Sequence, residues 1–153
     1  MDAVVIESNR GGFALREVET PAPPLGWARV RVQAVGICGS DLPIFDGIRN
    51  VPTPFIPGHE TVGTIDALNV GAGSALGADG TPLALGDAVA VNMVIACHTC
   101  PHCRNQRPTL CDTLTELGIH INGGGALPTS AQAPGDPLVT LVFKQLSARP
   151  VAR

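Results

Sequence analysis

Apolar and polar positions alternate most clearly over residues 27–35, WARVRVQAV, where Val30, Val32 and Ala34 fall on one face and Arg29, Arg31 and Gln33 on the other. That period of two predicts a half-buried strand ending at Gly36. Upstream, Val4, Val5 and Ile6 form an apolar run, and Gly11-Gly12 supplies a turn, so residues 13–18 are expected to pair back as a second strand. Pro21, Pro23 and Pro24 then impose an extended surface connection. Further strands are predicted over 61–68, 88–95 and 138–143, and the last ten residues are expected to fray. There is no repeat of fixed period. The pattern predicts a mainly β chain.

Composition sharpens that picture. The 153 residues suffice for one core, and 18 glycines with 14 prolines exclude a bundle of long helices, while 44% hydrophobic residues exclude a disordered chain. Aromatics at 3%, no tyrosine and a net charge of −3 argue against a nucleic-acid partner, and Arg104 and Arg107 read as a solvated surface. No run of 18 apolar residues is present, so no membrane partner is expected, and Asp2 and Glu7 break any signal-peptide pattern. A cytoplasmic, reducing setting follows, in which five cysteines point to metal or catalysis before disulfides. The stretch 71–86 contains Gly71-Ala72-Gly73, but its spacing to Gly77 is one residue too long for a dinucleotide fingerprint, and Gly77, Gly80 and Pro82 prevent the helix that must follow. It reads as a loop between strands.

Cys97, Cys100, Cys103 and Cys111 are spaced C-x2-C-x2-C-x7-C. Two-residue gaps let successive thiolates turn toward one ion, and the longer gap lets a loop return the fourth. Zinc accepts four sulfurs in a tetrahedron, which closes the site and gives it a folding role. The iron–sulfur alternative usually has x3-C-P at its end, whereas seven residues precede Cys111 here and Asp112 follows it. With four sulfurs filling the shell, His98 and His102 are expected to be bystanders.

Cys38 stands apart in GICGSDL (36–42), and His59 with Glu60 follows in PFIPGHETVG (54–63). Alone, either could be a buried structural residue. Together, a thiolate and an imidazole make an open zinc site that needs one more protein ligand.

In collinear order, the N-terminal strands, GICGSDL, PFIPGHETVG, LALGDAVAV (83–91) and the four-cysteine segment resemble the zinc-containing medium-chain alcohol dehydrogenases, in their N-terminal catalytic domain. The resemblance implies a GroES-like β-barrel with a protruding four-cysteine zinc lobe over residues 1–126. It implies Cys38 and His59 as ligands of a catalytic zinc, with Glu60 as a neighbouring or exchangeable ligand. Ser40 would pass on the alcohol proton, and Asp41 would hydrogen-bond His59 and fix its tautomer. Cys97, Cys100, Cys103 and Cys111 would hold a structural zinc. Pro43 stands where many relatives carry a relay histidine, so a relay would end at Ser40 or pass to water or cofactor.

The tail departs from the resemblance. Residues 117–135 contain no Asp, Glu, Lys or Arg, and no cysteine follows Cys111 nor glutamate Glu116. Residues 127–153 are therefore expected to be a divergent tail, with no third cysteine or glutamate ligand and no Rossmann domain. The resulting expectation is a zinc-dependent alcohol or polyol dehydrogenase catalytic domain, taking a small alcohol or polyol, with NAD(P) bound only in intact relatives and little turnover by this chain alone. The alternative is a non-catalytic zinc-binding structural or interaction module. The barrel face that meets the nucleotide domain in relatives would be covered by an oligomer or partner chain.

Overall fold

The computed structural model describes residues 1–70, 75–77 and 80–125, and the backbone alone of 139–142 and 149–150. Strand β1 (Asp2–Ile6) pairs antiparallel with β2 (Phe13–Glu17) across the predicted turn, where Gly12 takes a φ of 73°. Strands β3 (Trp27–Gly36), β4 (Glu60–Asn69) and β5 (Ala88–Ala90) form the centre of a second sheet, and β8 (Val139–Val142) and β9 (Arg149–Pro150) flank it in the order β8-β3-β4-β5-β9. A third sheet pairs β6 (Val94–Ile95) with β7 (Thr115–Glu116). The helices are short: α1 (Leu42–Phe45), α2 (Pro101–Arg104) and a 3-10 turn over Pro108–Leu110.

The core is built mostly from valine, leucine, isoleucine and alanine. One cluster joins Ala28, Val30, Ile65, Val89 and Leu117; a second packs Ile6, Ile44, Val51 and Phe55 beneath α1. The second cluster fixes the chain on either side of the candidate site, because Ile44 follows Cys38 by six residues and Phe55 precedes His59 by four.

Three expectations need correction. The strand predicted over 88–95 is two strands, because the chain leaves the large sheet after Ala90 and enters the small one at Val94. Ala34 is exposed instead of sharing the buried face of Val30 and Val32. A register shift between Val32 and Ala34 inserts Gln33 as an extra residue, so the alternation changes phase and Val35 packs against Val32 instead. The glycine-rich stretch joins β4 to β5 with no strand among its described residues, as expected of a loop, and those residues also pack: Leu76 bridges Pro82, Leu83 N–H donates to the Ala75 carbonyl, and Ala75 and Leu83 enter the core. Within the C-terminal ten residues, Arg149–Pro150 pairs with β5, while the rest of the predicted tail beyond β8 and β9 lies outside the described residues. The strand predicted at 138–143 is present as β8 beside β3.

Candidate metal centres

Antiparallel pairing explains how residues far apart in sequence meet. Strand β3 ends where β4 begins, with Gly36 directly opposite Glu60. Cys38 lies two residues beyond one end and His59 one residue before the other. The extra residue Gln33 sets this match, since it shifts the pairing from Val32↔Gly63 to Ala34↔Val62 and onward to Gly36↔Glu60. Donor atoms of Cys38, His59 and Glu60 all lie within 4.8 Å of one another.

Around them, Ser40 Oγ is 3.4 Å from Cys38 Sγ, to which it donates, and 3.3 Å from His59 Nε2. Cys38 N–H donates to Asp41 Oδ2 at 2.8 Å, so Asp41 fixes the turn that carries the thiol. Asp41 Oδ1 and His59 Nδ1 are 3.3 Å apart, too poorly aligned for a good hydrogen bond, and neither has another partner although both residues are buried. A proton on Nδ1 facing that carboxylate leaves the Nε2 lone pair toward Cys38 and Ser40, the orientation a metal-binding histidine needs. The Ser40 hydroxyl and backbone, then His59, lower the Cys38 pKa below the usual thiol value, while burial and Glu60 oppose them. This chemistry suits a divalent ion: one thiolate, one imidazole and one carboxylate with buried polar atoms beside them.

The histidine turn is clamped from behind by residues that sequence reasoning missed. Gly123 N–H donates to the Ile56 carbonyl at 2.7 Å, Gly124 to Gly58 at 2.9 Å and Gly125 to Pro57 at 2.7 Å. Asn122 Oδ1 accepts from Ile56 N–H at 2.9 Å. Gly58 itself has a φ of 101°, and a Cβ there would lie 2.8 Å from Val35 Cγ1 and 2.9 Å from Gly125 N. The available signal was three consecutive glycines, which permit such close backbone contact.

The second centre brings Cys97, Cys100, Cys103 and Cys111 together, again with donors within 4.8 Å. A tetrahedral zinc with bonds of about 2.3 Å would set sulfurs about 3.8 Å apart, and Cys97 Sγ stands 3.9 Å from Cys103 Sγ. Backbone N–H groups of Thr99, Cys100, Cys103 and Cys97 point at three of the sulfurs, at 3.2–3.5 Å. These donors suit thiolates. His98 and His102 lie outside this four-cysteine group; His102 Nε2 is instead 3.7 Å from Asp112.

The four thiols differ. Hydrogen bonds from Thr99, side chain before backbone, then from the Cys100 backbone, lower Cys97 to about 5. Desolvation, with the thiols of Cys100 and Cys111 beside it, raises Cys103 to about 12. The backbone N–H of Cys97 lowers Cys111. Cys103 thus holds its proton at neutral pH in the metal-free chain, and an ion can bind this sulfur only by displacing that proton. Zinc binding to the lobe should release at least one proton at pH 7, and its affinity should fall by about tenfold per proton for each pH unit of acidification. Titration in a weakly buffered indicator solution measures the release, and a pH-independent affinity between pH 6 and 8 would contradict it.

The described residues thus bring together one four-cysteine cluster and one Cys-His-Glu set on a strand-rich fold. The model for the alcohol dehydrogenase GroES-like domain matches residues 24–142, and the chain belongs to that family. It is 38% identical over 125 residues to the starvation-sensing protein RspB of Escherichia coli K12, covering 81% of this chain and 34% of RspB. It is 32% identical over 162 aligned positions to the erythritol/L-threitol dehydrogenase of Mycolicibacterium smegmatis, covering 99% of this chain and 43% of that enzyme. Among solved structures, the RspB alcohol dehydrogenase of Escherichia coli CFT073, in complex with NADH, superposes with a TM-score of 0.77 at 32% identity, over 99% of this chain and 38% of that one. The chain spans about a third to two-fifths of the length of these relatives.

Proposed function

We propose that this chain is the zinc-carrying catalytic part of an NAD(P)-linked alcohol or polyol dehydrogenase. The carrying observation is the convergence of Cys38, His59 and Glu60 within 4.8 Å, at the adjoining ends of two paired strands. In this reading Cys38, His59 and Glu60 hold a zinc ion, and Cys97, Cys100, Cys103 and Cys111 hold a second, structural one in a lobe projecting from a GroES-like barrel. The Lewis acidity that an open zinc site supplies lowers the pKa of a hydroxyl beside it, which favours loss of an alcohol proton.

The chain's own residues do the rest. Ser40, placed beside both Cys38 and His59, accepts the alcohol proton on its hydroxyl oxygen and gives up its own to water or cofactor. Pro43 offers no group to carry it further. Asp41 holds the Cys38 turn through its backbone N–H and faces Nδ1 of His59, keeping the imidazole oriented. NAD(P), where bound, would supply the hydride-accepting chemistry opposite the alcohol carbon, as the NADH complex of the RspB relative suggests. Five cysteines, all assigned to metal sites in this reading, suit a reducing, cytoplasmic setting. No described helix is long and apolar enough to cross a membrane.

Metal analysis tests this reading. The purified chain should carry two zinc ions, and Cys38→Ala should carry one while keeping its lobe. A wild-type chain with only one ion, lost in Cys100→Ala, would leave a non-catalytic zinc module. Since these residues span about a third of the length of RspB, alcohol-dependent NAD(P)H formation by this chain alone should be slight.

A further inference from the structure

We infer that Gly36 is a positioning residue, whose missing side chain leaves the space in which the Glu60 carboxylate reaches toward Cys38. This rests on the proposed Cys38-His59-Glu60 zinc site. Gly36 and Glu60 are directly opposed across β3 and β4, and directly opposed side chains in an antiparallel pair share one face of the sheet. A Cβ built on Gly36 would collide first with Glu60 Oε2, and would lie 3.0 Å from Glu60 Cβ and 3.3 Å from its Cδ. All three of its nearest contacts belong to this one side chain. The glutamate therefore folds over the bare backbone of its cross-strand neighbour, which brings its carboxylate to the thiol two residues further along β3's exit.

Space, and not backbone conformation, is what demands glycine here. Gly36 is absent from the residues with positive φ, so its strand geometry suits any L-residue. Contrast Gly58 at 101° and Gly118 at 73°, where the backbone conformation itself disfavours a side chain. A methyl group at 36 has one flexible obstacle, and that obstacle can swing away because Glu60 is exposed. Alanine should thus leave the fold in place and remove the carboxylate from the donor set. By the same geometry Gln33 matters indirectly, because only its extra residue puts Glu60, and not His59, opposite position 36.

The test uses the full chain with zinc in its four-cysteine lobe, titrated with Co2+ and followed by visible absorption. The wild-type chain should take up one cobalt ion. Gly36→Ala should weaken that uptake by about 10–100-fold, the range seen when residues supporting a metal's ligands are altered. Glu60→Gln should weaken it similarly, and the double variant should be no weaker than the poorer single variant, because both changes remove the same carboxylate. Lobe zinc and melting temperature should stay at the Glu60→Gln level. Wild-type affinity in Gly36→Ala, additive losses in the double variant, or loss of lobe zinc from Gly36→Ala would each overturn the inference. A wild-type chain that binds no cobalt would overturn the underlying zinc site as well.

Discussion

Replacing Cys100 by alanine should remove one zinc ion per chain, open the segment between Cys97 and Cys111 to protease, and lower the melting temperature by about 10 °C or more. The lobe has little else to hold it. Neither α2 nor the 3-10 turn contains a buried residue, and of the lobe's cysteines only Cys111 is buried. Helical pieces of four and three residues have no stability of their own. What remains is local turn hydrogen bonds, N–H contacts to sulfur, the exposed His102–Asp112 contact and the two-residue pairing of β6 with β7. Cys100 also receives the Cys103 N–H on its sulfur and so caps α2. Alanine deletes both a ligand and that cap. Zinc content, tryptic cleavage after Arg104, and calorimetry read the result. An unchanged melting temperature with full zinc content would show that the four sulfurs do not share an ion.

The parts legible in the sequence were those with a local signature. The β1–β2 hairpin followed from an apolar run and a glycine pair, and the alternation over 27–35 located β3. The cysteine spacing brought four residues together that the structure also brings together. Ligand chemistry and then resemblance join Cys38 and His59, whereas what brings them together in space is register: the end of one strand faces the beginning of its partner. A bulge leaves no mark on hydropathy, so the exposure of Ala34 was hidden. So was the division of 88–95, because Val91 and Met93 continue the apolar run while the backbone changes sheets. The glycine triplet at 123–125 carries no hydropathy pattern of its own. Its role depends on the backbone of 56–58, which is 66 residues away and beyond any local pattern.

That clamp gives the other large effect: Gly123→Ala should destabilise the chain and remove the metal ion from Cys38 and His59 together. A Cβ at 123 would collide with the Gly58 carbonyl oxygen and stand 2.6 Å from Gly118 Cα and 2.9 Å from the Gly58 carbonyl carbon. All of these are backbone atoms, so no side-chain rotation relieves the conflict. Gly58 cannot retreat easily, because Val35 and Gly125 close behind it and its carbonyl already accepts the Gly124 N–H. Overpacking of this kind costs about 1–3 kcal/mol, equivalent to a fall of roughly 2–12 °C in a chain of this size. The displaced Gly58 carries the peptide that leads into His59, whose side chain is buried with few ways to compensate. The affinity of the Cys38 site should therefore drop at least tenfold while the lobe, across β6 and β7, keeps its zinc. Gly39→Ala provides the comparison, since a Cβ there meets nothing within 4 Å, and its stability should stay within about 0.5 kcal/mol of the parent. Equal metal uptake by the Gly123→Ala and Gly39→Ala chains would refute the view that the triplet holds the histidine turn in place.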